Sequence, residues 1–176
     1  NYKDRMKSVK DGIWAAKYVI DQGYTDKKMV AAWGGSYGGF MAMATITEAP
    51  ELFGAACDVV GIVNFQTFLE KTKDYRRKLR EAEYGPLTDP EFLKSISPIY
   101  KVDKIDMPLM IAHGLNDPRV PVGEAMQIAV ALKKRGMDVE ELYFPDEGHG
   151  FAKEENRLLY YKELAKFFEK HLKKGA

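Results

Sequence analysis

Met29-Val30-Ala31-Ala32-Trp33 runs directly into Gly34-Gly35-Ser36-Tyr37-Gly38-Gly39. The first five residues are an apolar run bounded by Lys27-Lys28 and by glycines, which reads as a short buried strand. The small residues and methionines from Gly38 to Ile46 predict a tightly packed helix that ends before Pro50. Between strand and helix stands Gly34-Gly35-Ser36-Tyr37-Gly38, a G-x-S-x-G pattern. A sharp strand-to-helix turn forces its central residue into a strained backbone conformation, and flanking glycines remove the side chains that would collide there. The serine hydroxyl then stands at the head of a helix, with the next backbone N–H free to meet a developing negative charge.

Outward from this turn the chain alternates. Met6, Val9, Ile13, Ala16 and Ile20 form the stripe of an amphipathic helix stopping near Gly23. Ala55–Val63 reads as a second buried strand, Leu109–Ala112 as a third and Val139–Phe144 as a fourth. Val122, Met126, Ala129 and Val130 mark a helix closed by Gly136, and Leu158, Tyr161, Leu164, Phe168 and Leu172 stripe a last helix. The stretch 64–106 differs: it is charge-dense from Lys71 to Arg80 and punctuated by Gly85-Pro86, Asp89-Pro90 and Ser97-Pro98. It is expected to be an excursion of short helices over one edge of the sheet, within a single domain spanning 1–176. The fold class is α/β, with about four parallel strands, flanking helices and right-handed crossovers.

Composition narrows the function. The 176 residues carry 27 Lys plus Arg against 26 Asp plus Glu, a formal charge of +1, which lacks the basic excess of a nucleic-acid or anionic-membrane binder. No run of 18 apolar residues is present to cross a membrane, and no signal-peptide pattern opens the chain. A single cysteine, Cys57, excludes an intramolecular disulfide and a multi-cysteine metal site, and points to a reducing, cytoplasmic compartment. Cys57 itself lies within the second strand and is expected to be a small buried apolar residue.

A nucleophilic serine needs a base, and the base needs an orienting carboxylate. The histidines are His113, His149 and His171. His171 lies in the basic end of the last helix, Lys170–Lys174, and is expected at the surface; His113 ends the third strand and reads as a core or loop histidine. His149 follows the fourth strand within Asp146-Glu147-Gly148-His149-Gly150-Phe151, where flanking glycines free the loop. Asp117 follows the third strand in Gly114-Leu115-Asn116-Asp117-Pro118-Arg119-Val120-Pro121. An Asp-Pro turn is a bland reading for Asp117 taken alone. Yet Ser36, Asp117 and His149 each follow the carboxyl end of a parallel strand, the edge along which open α/β sheets bind ligands. Asp146 and Glu147 are poorer acids for the same base, being too close to it in sequence.

Gly34–Gly39, Asn116-Asp-Pro-Arg-Val-Pro121 and Phe144-Pro-Asp-Glu-Gly-His-Gly-Phe151 together resemble the catalytic domain of the prolyl oligopeptidase family of serine peptidases. The acylaminoacyl-peptidase and dipeptidyl-peptidase branches are the nearest, and Ser95-Ile-Ser-Pro98 and Glu154-Glu-Asn-Arg157 also fit. The resemblance implies the carboxyl-terminal half of an α/β-hydrolase fold, with Ser36 as nucleophile, His149 as general base and then acid, and Asp117 as orienter. It also implies an oxyanion N–H from Tyr37, substrate binding by Arg119, and no metal or organic cofactor. The implied substrate is a short peptide, with a carboxylesterase acting on small acyl esters as the alternative; a non-catalytic remnant of a larger peptidase is the alternative of another class.

The family pattern also contains an amino-terminal β-propeller, earlier strands and a loop giving a second oxyanion donor, none of which precedes Ser36 here. With the start at Asn1 instead of Met, the expectation is a chain that begins partway through a larger hydrolase. The strand Met29–Trp33 would then have an unpaired apolar edge, an association hazard. That edge is expected to be covered by a second copy, as a dimer, or by an amino-terminal segment.

Overall fold

The computed structural model describes residues 2–172. Helix α1 (Arg5–Asp21) leads to strand β1 (Val30–Gly35), helix α2 (Tyr37–Glu48) and strand β2 (Phe53–Val59). Three short helices follow: α3 (Phe65–Glu70), α4 (Asp74–Tyr84) and α5 (Pro90–Ile96), then a 3-10 segment at Pro98–Lys104. Strand β3 (Leu109–Gly114), helix α6 (Gly123–Lys134), strand β4 (Val139–Phe144) and helix α7 (Glu154–Leu172) complete the chain. The four strands form one parallel sheet in the order β1-β2-β3-β4.

Both faces of the sheet are covered, so its inner strands are apolar on both sides and the side chains alternate between two cores. Ala56, Leu109 and Ile111 join Met43 and Ile46 of α2 and Ala125 and Ile128 of α6 on one face. Ala55, Cys57, Val59, Met110 and Ala112 join Tyr160, Leu164 and Phe167 of α7 on the other. The buried Cys57 thiol, pushed above its ordinary pKa first by burial, is an apolar packing group.

One strand boundary differs from the sequence reading. Strand β2 ends at Val59, not Val63, because Val60 takes a positive φ of 45° and turns the chain out of the sheet. Ile62 and Val63 remain buried after that turn, which is why the apolar run continues past the strand. The excursion 64–106 reaches the carboxyl edge of the sheet, where α4 lines a cleft with Ser36 and His149, and it also packs on one face. With strands in sequential order, right-handed crossovers all pass over the same face, so the connection from β2 to β3 must share the face of α2 and α6. Its 3-10 segment accordingly packs Ile99 and Val102 against the α2–α6 core. Its helices place Phe65, Phe68, Leu69, Leu93 and Ile96 against Val9 of α1 and Phe40 and Ala44 of α2. Full burial of a Phe or Leu side chain contributes about 1.5–3 kcal/mol, so this second cluster anchors the excursion to the sheet's helical layer.

Asp58, at the end of β2, is 1% exposed and lies in the tight gap beside Gly39 and Gly61. A Cβ at Gly39 would come within 2.3 Å of its Oδ1. Burial, and after it the carboxylate of Glu124, raise the Asp58 pKa to about 7. Between the ordinary carboxylate range and pH 7 the folded chain therefore holds a proton that the unfolded chain releases, so stability falls as pH rises across that window. Asp58→Asn is expected to flatten the decline in Tm between about pH 4 and pH 7, read by thermal melts. A decline as steep as wild type would exclude Asp58 as its source.

Candidate active site

Ser36 sits between β1 and α2 with φ 58° and ψ −118°, a region that side-chain-bearing residues rarely occupy. The turn is held by Ser36 N–H donating to Val59 O at 2.8 Å, and the Gly39 and Phe40 N–H groups donate back to Ser36 O. Gly34 is obligatory in this packing: a Cβ there would lie 2.3 Å from Gly38 O. Tyr37 N–H, first in α2, has no backbone acceptor among the described residues, as expected for a helix's first amide.

The loops after β3 and β4 are stitched to each other. Leu115 N–H donates to Phe144 O at 2.8 Å, Asn116 N–H to Glu147 O at 3.0 Å, and the Asn116 side-chain amide to Pro145 O at 2.7 Å. Gly114 permits this approach, since a Cβ there would lie 2.3 Å from Gly148 O. Glu147, set aside above as an acid, has a different task. Its carboxylate accepts from the N–H groups of Ala152 and Lys153 and from the Asn156 amide, closing the loop that carries His149. The Asn156 amide first, with those backbone N–H groups, holds the Glu147 carboxyl below its usual pKa. The signal for this task was its place two residues before His149, on the same short loop.

These loops bring the three sequence-selected residues into one line. His149 Nδ1 lies 2.7 Å from Asp117 Oδ2, and His149 Nε2 lies 2.8 Å from Ser36 Oγ. A carboxylate only accepts, so Nδ1 carries the proton and donates to Asp117, leaving Nε2 to accept from the serine hydroxyl. Asp117 also accepts through Oδ1 from the N–H groups of Arg119 at 2.8 Å and Val120 at 2.9 Å. Burial opposes ionisation of Asp117, but the bonds from His149, Val120 and Arg119 outweigh it and place its pKa below the ordinary value. An ionised, buried carboxylate fixing one imidazole tautomer against a hydroxyl is the arrangement that allows a serine to lose its proton as it attacks.

The other histidines lie outside this line. His113 is fully buried; its Nε2 donates to Val120 O at 2.9 Å, and burial lowers its pKa, keeping it neutral. His171 is not a free surface residue: it packs on Phe167, ring centroids 4.8 Å apart, with Nε2 3.8 Å from both Asp138 and Glu140. Lys173 and Lys174 of the basic tail lie outside the described residues.

Ser36 and His149 open into a cleft of about 290 Å³ shared with Ile62, Tyr84, Val120 and Arg119. Behind it, Arg5 is buried with its guanidinium 4.5 Å from the Tyr84 ring centroid and 5.2 Å from that of Tyr37. Glu124, also fully buried, accepts from the N–H groups of Val63 and Asn64, shaping the segment beyond β2. Neither role was legible in the sequence, where nothing in the spacing singles out either residue.

The model of the prolyl oligopeptidase family matches residues 1–175. The chain belongs to that family. Among family relatives, dipeptidyl aminopeptidase BIII of Pseudoxanthomonas mexicana is 38% identical over 156 residues, covering 85% of this chain and 23% of the relative. Acylamino-acid-releasing enzyme 1 of Oryza sativa subsp. japonica is 29% identical over 178 residues, covering 96% of this chain and 23% of the relative. A puromycin-hydrolyzing peptidase of Mycobacterium tuberculosis superposes with a TM-score of 0.86 at 32% identity, over 93% of this chain and 25% of that structure. The chain thus spans about a quarter of the length of these family members. The fold is that of the family's α/β-hydrolase peptidases. Among the described residues no helix is long and apolar enough to cross a membrane.

Proposed function

We propose that this chain carries the catalytic centre of a serine peptidase acting on short acylaminoacyl or dipeptidyl-type substrates. Ser36 is the nucleophile, His149 the base that takes its proton and returns it to the leaving amine, and Asp117 the group that orients the imidazole. Tyr37 N–H faces the oxyanion, and Arg119 binds a substrate carbonyl or carboxylate. The observation that supports this reading is the unbroken hydrogen-bonded line Asp117–His149–Ser36 at 2.7 and 2.8 Å, opening on a cleft. The chemistry needs no metal or organic cofactor, since the hydroxyl is activated by the imidazole. Turnover of N-acylaminoacyl amides against p-nitrophenyl acyl esters tests it. Amide cleavage supports a peptidase, ester cleavage alone a carboxylesterase, and no turnover with no labelling by a fluorophosphonate a non-catalytic segment.

The same reading includes a partner for β1. This strand pairs with β2 on one side and with no strand on the other among the described residues, and Trp33 is 52% exposed there. Its free row of backbone groups accepts an added strand, from a second copy or from another segment of the same protein. The chain expressed by itself is expected to self-associate with rising concentration in light scattering. A strictly monomeric species throughout would sink this part of the reading.

A further inference from the structure

The mouth of the cleft carries a charge imbalance that the three hydrogen-bonded residues do not explain. Helix α4 lines it with Arg76 and Arg80, four residues apart and so on one face of the helix, and they meet Arg119 from the loop after β3. Glu83 is the one carboxylate lining the same cleft. Among the described residues none of the three guanidiniums has a carboxylate within ion-pair distance, whereas Arg77, on another face of α4, is paired with Asp74 at 3.1 Å. Arg80 is held in place by contacts other than an ion pair: it donates to Arg119 O at 3.4 Å and lies 4.4 Å from the Phe68 ring centroid. The cleft continues into a hollow of about 210 Å³ to which Lys71 and Lys73 add further positive charge. Burial first, with the charges of Arg76 and Arg119 in the same direction and Tyr84 and Glu83 opposing them, depresses the Arg80 pKa.

Cations crowded at a half-dry cleft repel one another until an anion enters. The planar guanidinium fork fits a carboxylate through two parallel N–H···O bonds, which gives orientation as well as affinity. We propose that Arg76 and Arg80 form a carboxylate-recognising subsite, so that the preferred substrates are short peptides bearing a carboxylate close to the bond that Ser36 attacks. That carboxylate comes either from an acidic side chain or from a free carboxyl terminus. The proposal rests on the hydrolase reading for the attack by Ser36, but recognition of the anion does not depend on turnover.

The test uses paired peptides that differ only in Asp against Asn, and a second pair differing only in a free against an amidated carboxyl terminus. Each pair is measured twice: as kcat/KM with the wild-type chain, and as equilibrium binding to Ser36→Ala by fluorescence anisotropy. A preference of at least about tenfold for the acidic member of one pair is expected, as a charge-assisted contact gives. The responsive pair identifies the source of the carboxylate. The preference is expected to fall to about twofold or less in Arg76→Gln/Arg80→Gln, to persist in Arg77→Gln, and to shrink as salt screens the charges. Arg76→Glu is expected to favour a lysine-bearing peptide instead, a gain that a misfolded variant could not show. Equal handling of both members of both pairs, a preference that survives the double substitution, or no binding of any peptide would overturn the proposal. Discriminating binding without turnover would leave the subsite standing and remove the hydrolase reading.

Discussion

Replacing Ser36 with alanine is expected to abolish labelling by a fluorophosphonate and to lower kcat by about 10⁶-fold, the scale of nucleophile loss in an intact triad. The wild-type chain should label once per molecule. Among the described residues Ser36 Oγ bonds only to His149, and the strained turn is held by backbone contacts that alanine keeps, so the melting curve should match wild type. Matching stability with lost reactivity separates a chemical role from a structural one. Labelling that survives the substitution would remove Ser36 as nucleophile. A wild-type chain that neither labels nor turns over substrate would remove the hydrolase reading as a whole.

Asp117→Asn is expected to reduce kcat/KM by about 10⁴-fold with little change in KM. Asparagine nearly preserves the volume and can still accept at one oxygen from the Arg119 and Val120 N–H groups. Its side-chain amide faces His149 as a donor, however, which favours the wrong tautomer and presents an N–H to Ser36 instead of a lone pair. The low-field proton resonance of His149 Nδ1 should be present in wild type and absent from the variant. Activity within tenfold of wild type would show that Asp117 does not orient the base, and would direct attention to another carboxylate.

Much of the architecture was legible because the inner strands β2 and β3 are buried on both faces and therefore read as short, bounded apolar runs. Where the reading slipped, hydrophobicity reported burial without direction. Val60 to Val63 stay buried after the chain has left the sheet, so β2 looked longer than it is. The face on which the excursion packs required strand order, since only sequential pairing makes its crossover share the face of α2 and α6. The triad was legible because each member follows a strand, and parallel strands deliver their carboxyl ends to one edge. The buried charges were not. Arg5 lies against aromatic rings and donates to Glu83 O, and Glu124 and Glu147 accept from backbone N–H groups, partners that sequence spacing does not bring together. Arg76 and Arg80 were visible only as part of a charged run; their facing the cleft depends on where the excursion packs.

The seams between the loop after β3 and the loop after β4 have a mechanical consequence. Leu115, Asn116, Phe144, Pro145 and Glu147 bind the acid and the base into one piece, while the nucleophile rides on a second piece built from β1 and α2. The weakest joint in the relay is therefore the single span between Oγ and Nε2, and its length is the coordinate along which the centre can breathe. Any shift of the open-edged first strand relative to the two loops would change that span and leave the imidazole docked on its carboxylate. A strand laid along the free side of β1 would then do more than hide apolar surface: by stiffening one of the two pieces, it would raise the fraction of time the centre is assembled.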